Sequence, residues 1–163
     1  RTAVHLEDKG VHIHFIDTAG TGMEESPGPG GSSLQNEGEL DIVRKLMEAD
    51  EIDPAQTAFI SPYSGQVSIA REQLPSAMRI RTIDSFQGQE AGTVIVSLVR
   101  SNEDGDIGFL KDYRRMNVAM TRAKEHLYLI GDSATIGRDP FYQAMISYVE
   151  DKGQYRSAWE FGS

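Results

Sequence analysis

The sequence of 163 residues contains no cysteine, so it can form neither a disulfide nor a thiolate metal site. It also has no apolar run approaching the ~18 residues of a membrane-spanning helix, which excludes a bilayer span. Basic residues are few, with 16 Lys and Arg against 25 Asp and Glu and a formal net charge of -9. Because Lys and Arg contacts to phosphates supply most nucleic-acid affinity, any nucleic-acid role would depend on a local basic patch or on another part of the protein.

The start of the chain has neither an initiator Met nor the features of a signal peptide. Arg1 comes first, and neither a charged n-region nor an apolar h-region follows it. We therefore expect a piece of a longer polypeptide, no membrane partner, and a cytoplasmic location, or a nuclear one in a eukaryote. The hydrophobic fraction of 39% and charged fraction of 25% are ordinary for a globular chain, which predicts a single domain over residues 1–163.

Strand and helix patterns alternate along the chain. Strands are predicted at 11–17, 57–61, 78–83, 93–99 and 126–130. Helices are predicted after Asn36, from Pro62 to about Leu74, from Asp112 to about Ala123 and from Pro140 to Val149. The nearly unbroken β-branched run of 93–99 is typical of a strand covered on both faces. The alternation predicts a doubly wound α/β fold with a mainly parallel sheet.

Local signals mark the boundaries of several elements. Asn36 followed by Glu39 predicts a capping box, and Ser61 before Pro62 predicts a helix N-cap. The Gly, Pro and Ser residues of 19–35 predict a flexible loop. In parallel sheets, chemistry collects where strands end, so we expect the site among the polar clusters that follow the strands. These clusters are 17–20, 61–63, 82–90, 100–102 and 131–132.

Several familiar motifs are incomplete. DTAG at 17–20 is found in GTPases, but no Gly-Lys-Ser/Thr loop accompanies it. Two glycine patterns begin like a dinucleotide fingerprint and fail at Glu25 and Ser33, where the third glycine should stand. His12 and His14 share one side of a strand, but a metal site needs a third ligand. No metal site is predicted, and these histidines favour an exposed or edge strand.

The segment TIDSFQGQE at 82–90 lies between two predicted strands. Gly88 permits a tight turn and close approach of a ligand to the backbone. Gln87 and Gln89 bring neutral donors and acceptors, and Glu90 can accept two hydroxyl hydrogen bonds. By itself this composition is typical of a polar turn.

A second segment, RRMNVAMTRAK at 114–124, is predicted to be helical. On a helix, Arg115 and Arg122 would leave one face about 10 Å apart. Planar guanidinium groups suit phosphate oxygens, although surface arginines commonly pair with carboxylates instead. Four basic residues among eleven, in a chain of charge -9, favour a local cationic cluster.

Together these segments resemble motifs V and VI of superfamily 1 helicases, in the branch of the nonsense-mediated-decay RNA helicase and its DNA relatives. The resemblance runs from TIDSFQGQE through TVIVSLVRSN and IGFL to RRMNVAMTRAKEHLYLIGD. ISPYSGQV at 60–67 is similar to the motif IV region, and FIDTAG with the following Asn36-to-Glu39 pattern is similar to the start of the second motor domain. The resemblance implies a RecA-like P-loop NTPase fold without its own phosphate loop.

The resemblance also implies roles at an ATP site shared with a first RecA-like domain. Arg122 would be the arginine finger, and Gln87 would report the state of the γ-phosphate. Gly88 would offer its backbone near that phosphate, Glu90 would accept the ribose hydroxyls, and Arg115 would contact phosphate or form a salt bridge. Gln89 stands where the family often has a basic residue. The Mg²⁺ ligands would come mainly from the first domain.

Single-stranded nucleic acid, DNA or RNA, is the implied partner. Its contacts would be Ser61, Pro62 and Tyr63, together with Thr82, Asp84 and Ser85. The resemblance implies an ATP-dependent helicase as the full-length protein, and the 163-residue chain alone is expected to be inactive as an ATPase. The alternative is a non-catalytic module that binds nucleic acid or protein with a motor-like fold.

Overall fold

A computed structural model describes residues 10–162. Its main sheet has six strands, all of them parallel to their neighbours, in the order β5-β4-β6-β7-β1-β8. The strands are β1 His12–Asp17, β4 Thr57–Ser61, β5 Arg79–Thr82, β6 Ala91–Ser97, β7 Ala123–Gly131 and β8 Gln154–Ser157, and a separate antiparallel ribbon consists of β2 Ser26–Pro27 and β3 Leu34–Gln35. The five helices are α1 Glu37–Ala49, α2 Ser64–Gln73, α3 Tyr113–Met120, α4 Ser133–Ile136 and α5 Pro140–Lys152.

Helices cover both faces of the sheet. One buried apolar cluster joins the sheet to α1 and α2, through residues such as Leu40 and Val67. The other joins it to α3 and α5, through residues such as Met116 and Met145. The doubly wound α/β fold with a parallel main sheet is therefore confirmed. No helix within residues 10–162 is long and apolar enough to cross a membrane.

The hydrophobic patterns predicted the strands well. Strand β6 begins two residues earlier than expected, at Ala91, and is covered on both faces, with Val94, Ile95 and Val96 fully buried. Strand β1 does not lie at the edge predicted from His12 and His14, because it is hydrogen-bonded between β7 and β8. There His14 is buried and stacks on Tyr128, and burial lowers its pKa to about 4.

The predicted capping box at α1 is half correct. The Asn36 side chain accepts a hydrogen bond from the Glu39 amide, as expected of an N-cap. The Glu39 carboxylate does not return to the Asn36 amide, which donates to Gln66 Oε1 at 2.8 Å. Instead, Glu39 Oε1 accepts from Ser97 Oγ at 2.6 Å. Long-range partners on α2 and β6 thus replace the local reciprocal bond.

Two other predicted helix boundaries are wrong. Helix α2 begins at Ser64 and not at Pro62, with Tyr63 at its N-cap and Ser61 Oγ accepting from the Tyr63 amide at 3.2 Å. Helix α3 ends at Met120, so residue 122 is not helical. The chain leaves the helix there because Ala123 already pairs with Ala91 in the sheet.

The glycine-rich segment 19–35 holds more structure than the expected loop. It contains the β2–β3 ribbon and a 3-10 turn at Pro29–Gly31. Ser33 Oγ accepts from the Gly65 amide at 3.0 Å, and a Cβ on Gly65 would lie 2.6 Å from the Leu34 carbonyl oxygen. The flexibility of this segment stays a prediction, but its second half packs closely on α2.

Candidate functional site

The 82–90 segment reaches two opposite edges of the sheet. Strand β5 ends at Thr82, whereas Ala91 begins β6, and both strands run in the same direction. Residues 83–90 therefore run from the side of the sheet where the strands end back to the side where the strands begin. We call the first side the carboxyl edge and the second side the amino edge. The expectation of a single site at the carboxyl edge is thus wrong for the second half of this segment.

Contacts with the start of β5 fix this crossover. Arg79 Nη1 donates to Gln89 Oε1 at 3.2 Å, and Nη2 donates to the Glu90 carbonyl at 2.8 Å. Phe86 is buried, with the Arg79 guanidinium 5.3 Å from its ring centroid. Gln89 thus helps to anchor the turn.

Two of the predicted nucleotide contacts, Glu90 and Arg122, immediately precede strands β6 and β7 at the amino edge. The Ala91 amide donates to the Arg122 carbonyl at 3.1 Å, so the residue after Glu90 is bonded directly to Arg122. Glu90 and Gly88 are exposed, and Gly88 has φ +76° with no atom within 4 Å of a Cβ built on it. The bond from Ala91 places the main chain of Arg122 beside the residue that follows Glu90, and the roles of Arg122, Gly88 and Glu90 at an ATP site stay predictions.

Arg122 lies half-buried at the start of β7. Its Nε donates to the Val118 carbonyl at 3.2 Å and its Nη2 to Thr121 Oγ1 at 3.3 Å. Within residues 10–162 it forms no ion pair, although the chain is strongly acidic. The turn after α3 thus presents a cationic fork whose charge no described carboxylate neutralises.

Arg115 lies elsewhere. It belongs to the first turn of α3, where its Nε is 3.0 Å from Asp84 Oδ1 and 3.7 Å from Asp112 Oδ2. Of the two roles that the resemblance implies for Arg115, the salt bridge is the one present. The predicted single face carrying Arg115 and Arg122 is wrong, because α3 ends before residue 122.

The residues predicted to contact single-stranded nucleic acid collect at the carboxyl edge. There Ser61 of β4 pairs with Thr82 of β5. Thr82 Oγ1 donates to Ser85 Oγ at 3.1 Å, and Asp84 and Ser85 are exposed. Ser61 and Tyr63 are buried, whereas Pro62 is half-buried. The contacts to nucleic acid stay predictions. Because Ser61 and Tyr63 are buried, they lie beneath the surface that their neighbours form.

A buried charged network supports this edge. Arg100 Nε lies 2.9 Å from Glu25 Oε1, and both side chains are largely buried, with 8% and 16% exposed. Arg100 Nη1 donates to the Tyr63 hydroxyl at 3.1 Å, and Nη2 lies 3.3 Å from Asp106 Oδ2. Burial acts to lower the pKa of Arg100, but the bonds to Glu25 and Tyr63 raise it overall. No local pattern predicts this network, because Glu25 lies 75 residues before Arg100.

Glu39 lies under the same edge and is fully buried. Its Oε1 accepts from Ser97 Oγ and from the Val99 amide, whereas Oε2 has no hydrogen-bond partner among the described residues. Burial raises the pKa of Glu39 to about 8. Val99 itself adopts φ +71°, a conformation that a β-branched residue rarely takes.

The described residues fit part of a nucleotide site and no complete metal site. Residues 10–162 contain no group of three His, Asp or Glu side chains that could hold a metal ion. The free guanidinium of Arg122, the open backbone of Gly88 and the carboxylate of Glu90 are suitable donors and acceptors for phosphate and ribose. The chain therefore offers one wall of such a site, with no Mg²⁺ ligand set of its own in the described part.

Comparison with known proteins gives consistent matches over most of the chain. The model of an AAA domain family, AAA_12, matches residues 1–134. The chain is 36% identical to the DNA-binding protein SMUBP-2 of Rattus norvegicus over 95% of this chain and 16% of that protein. It is 35% identical to the DNA polymerase alpha-associated DNA helicase A of Saccharomyces cerevisiae, over 92% of this chain and 24% of that protein.

A third relative is the regulator of nonsense transcripts 1 of Dictyostelium discoideum, 36% identical over 81% of this chain and 11% of that protein. The chain thus spans less than a quarter of the length of each of these three relatives.

Proposed function

This chain belongs to the AAA domain family AAA_12 and is a helicase C-terminal domain of the superfamily 1 type, and we propose that it completes the ATP site of a motor and contacts single-stranded nucleic acid. The full-length protein is then an ATP-dependent helicase on DNA or RNA. The observation that supports this most strongly is the position of Arg122, unpaired with any described carboxylate and bonded through its carbonyl to the residue after Glu90.

In this proposal the amino edge closes on ATP held by a first RecA-like domain, which also supplies the Mg²⁺ ligands. Bound ATP supplies a phosphoryl group whose transfer to water develops negative charge. Arg122 would donate to its phosphoryl oxygens, Gln87 and the Gly88 amide would contact the γ-phosphate, and Glu90 would accept from the ribose hydroxyls. A fixed cationic donor of this kind is worth about 10³–10⁵ in rate.

In this proposal the carboxyl edge contacts the single-stranded nucleic acid. The hydroxyl groups of Thr82 and Ser85 can donate to phosphates without reading bases, which makes binding insensitive to sequence, whereas Pro62 has no N–H and can contribute only packing. This mode also suits a chain with a net charge of -9, because it does not depend on lysine or arginine. The 163-residue chain alone is proposed to be inactive as an ATPase, and a cytoplasmic or nuclear location stays a prediction.

The test of the ATP site is Arg122→Ala in the full-length protein, with ATP turnover measured in the presence of single-stranded DNA or RNA. We expect at least about a thousandfold loss of turnover, with ATP binding largely retained. Arg122→Lys keeps the charge but not the planar fork, so it should also lose most activity.

The matched control is Arg114→Ala, which removes an exposed arginine from α3 and should leave turnover near the wild-type value. Full turnover in Arg122→Ala would contradict the finger assignment. A wild-type protein that binds single strands but shows no strand-stimulated ATP turnover would instead support the non-catalytic binding module.

A further inference from the structure

One large apolar side chain at the carboxyl edge is exposed although its surroundings are rigid. Phe109 is 59% exposed. It lies in the 3-10 turn Gly108–Lys111, between the buried side chains of Ile107 and Leu110, which both belong to the apolar core. The turn is therefore anchored on both sides of Phe109, and the exposure of this ring does not come from a loose loop.

The ring is also held in a defined position. It stacks on the ring of Tyr63, with centroids 5.2 Å apart and an interplanar angle of 21°. The Phe109 amide donates to the Tyr63 hydroxyl at 3.3 Å, and that hydroxyl donates to the Ile107 carbonyl at 3.4 Å. Because Tyr63 is 97% buried and covers one ring face, the exposed area of Phe109 is its other face and edge.

The buried ion pair reinforces this arrangement. The Arg100 guanidinium bonds the Tyr63 hydroxyl at 3.1 Å and pairs with Glu25 at 2.9 Å. A Cβ at Gly108 would lie 2.1 Å from Arg100 Nη1, so the residue before Phe109 must be glycine for this packing to form. Three charged or aromatic side chains thus fix a single exposed phenyl ring.

The position of the ring indicates its ligand. Tyr63 follows β4, next to Pro62, and Arg115 ties the helix that follows Phe109 to Asp84 at 3.0 Å. Phe109 therefore shares the carboxyl edge with the proposed strand contacts. Stacking of a base on an aromatic ring needs no cation and tolerates every base, which suits an acidic surface and binding without sequence preference.

We propose that the outward face of Phe109 is a stacking platform for one unpaired nucleobase, so that the order is Tyr63, Phe109 and base. This inference rests on the proposed function, because it assumes that a single strand binds at the carboxyl edge. It adds a contact to the bases to an interface that otherwise consists of contacts to phosphate and sugar.

The test uses the full-length protein and a mixed-sequence single strand that cannot pair with itself, in deoxy and ribo forms, at one fixed salt concentration. Phe109→Ala should raise the dissociation constant by about five- to 150-fold, the effect of losing one stacked base. Phe109→Leu, which keeps apolar packing on Tyr63 without a π face, should weaken it similarly. Phe109→Trp should retain the affinity.

An abasic strand of the same length separates stacking from other contacts. On that strand Phe109→Ala and the wild type should bind equally, because no base is present to stack. The matched control is Trp159→Ala, which removes another exposed aromatic ring, 61% exposed, beside β8 at the other side of the sheet. This variant should bind both strands like the wild type.

Wild-type affinity of Phe109→Ala for the base-containing strand would overturn the inference alone. So would an equal loss on the abasic strand, which would show instead that Phe109 supports phosphate contacts or packs on another domain. If the wild type binds neither strand, the proposed strand contact itself is wrong, and this outcome is distinct from the other two.

Discussion

The two edges of the sheet differ in how their polar groups are satisfied. At the carboxyl edge, Glu25 Oε1 accepts three hydrogen bonds, each of 2.9 Å, from Arg100, Ser101 and Asn102. At the amino edge, the exposed Glu90 contributes a main-chain carbonyl to the fold, and the Arg122 side chain bonds only to its own turn among the described residues. The Glu25 network at one edge is satisfied by described residues, whereas the charged side chains of Glu90 and Arg122 at the other edge form no described ion pair.

This difference indicates which kind of binding each edge can support. A surface with internally satisfied groups keeps its shape before a ligand arrives, so it loses little order on binding. A set of unsatisfied charged groups costs less to leave in water than to bury, and it becomes effective only when a second surface excludes the water. Mutations that remove the largely buried acceptors of Glu25 and Glu39 at the carboxyl edge should therefore lower stability, whereas mutations of Glu90 and Arg122 at the amino edge should lower ATP-dependent function.

The largest expected effect on stability is the pH response of Glu39. Its pKa is raised from 4.5 to about 8, so the folded chain holds a proton that the unfolded chain releases. The free energy of unfolding should fall as pH rises from about 4.5 to about 8, by up to about 1.4 kcal/mol per pH unit. Glu39→Gln cannot ionise and keeps the acceptor for Ser97, so it should lose this decline.

Urea unfolding of the 163-residue chain across that pH range measures the effect. Glu37→Gln, at an exposed position in the same helix, is the control and should keep the wild-type profile. Parallel pH profiles for wild type and Glu39→Gln would show that the carboxyl edge does not contain a buried protonated acid.

The next effect is the loss of the buried ion pair. Glu25→Ala leaves three donors without their acceptor, and removing one partner of a buried charge pair costs about 3 kcal/mol or more. Denaturant midpoints of the 163-residue chain measure it. Asp41→Ala breaks the exposed pair with Arg44 and should cost less than about 1 kcal/mol. Equal costs for the two variants would remove the contrast between a supported edge and an ordinary surface.

The smallest expected effect is at the amino edge. The exposed Glu90 carboxylate takes part in no described hydrogen bond or ion pair, so Glu90→Ala should change the free energy of unfolding by less than about 0.5 kcal/mol. The same substitution in the full-length protein should weaken ATP binding, measured by titration with a fluorescent ATP analogue. A stability loss as large as that of Glu25→Ala would mean that this edge, too, is needed for folding.

Local patterns predicted the fold well and the site only in part. The β-branched run of β6 and the helix after Asn36 depend on nearest neighbours and burial, and both were confirmed. The end of α3 was not predicted, because it is fixed by pairing of Ala123 with Ala91, and helix periodicity continues past it. In the same way, the Glu39 side chain follows a capping pattern locally but bonds to Ser97, 58 residues away.

The site residues illustrate the same limit. The resemblance assigned Glu90 and Arg122 to one nucleotide site, which stays a prediction, and the expectation that residues 82–90 lie at the carboxyl edge is wrong for Glu90, which immediately precedes β6. Phe109 gave no signal of its own, because a phenylalanine between Gly108 and Leu110 predicts burial as readily as exposure. Only the packing of Ile107 and Leu110 into the core shows that Phe109 faces outward.

The crossover at 83–90 has a mechanical consequence. Eight residues lead from the end of one strand to the start of another two places away, with three of them coiled in the 3-10 turn Asp84–Phe86 and Phe86 locked into the core. We predict that this short, anchored connection transmits a displacement of either end to the other. A lengthened connection would let the two ends move independently and would uncouple the events at opposite sides of the domain.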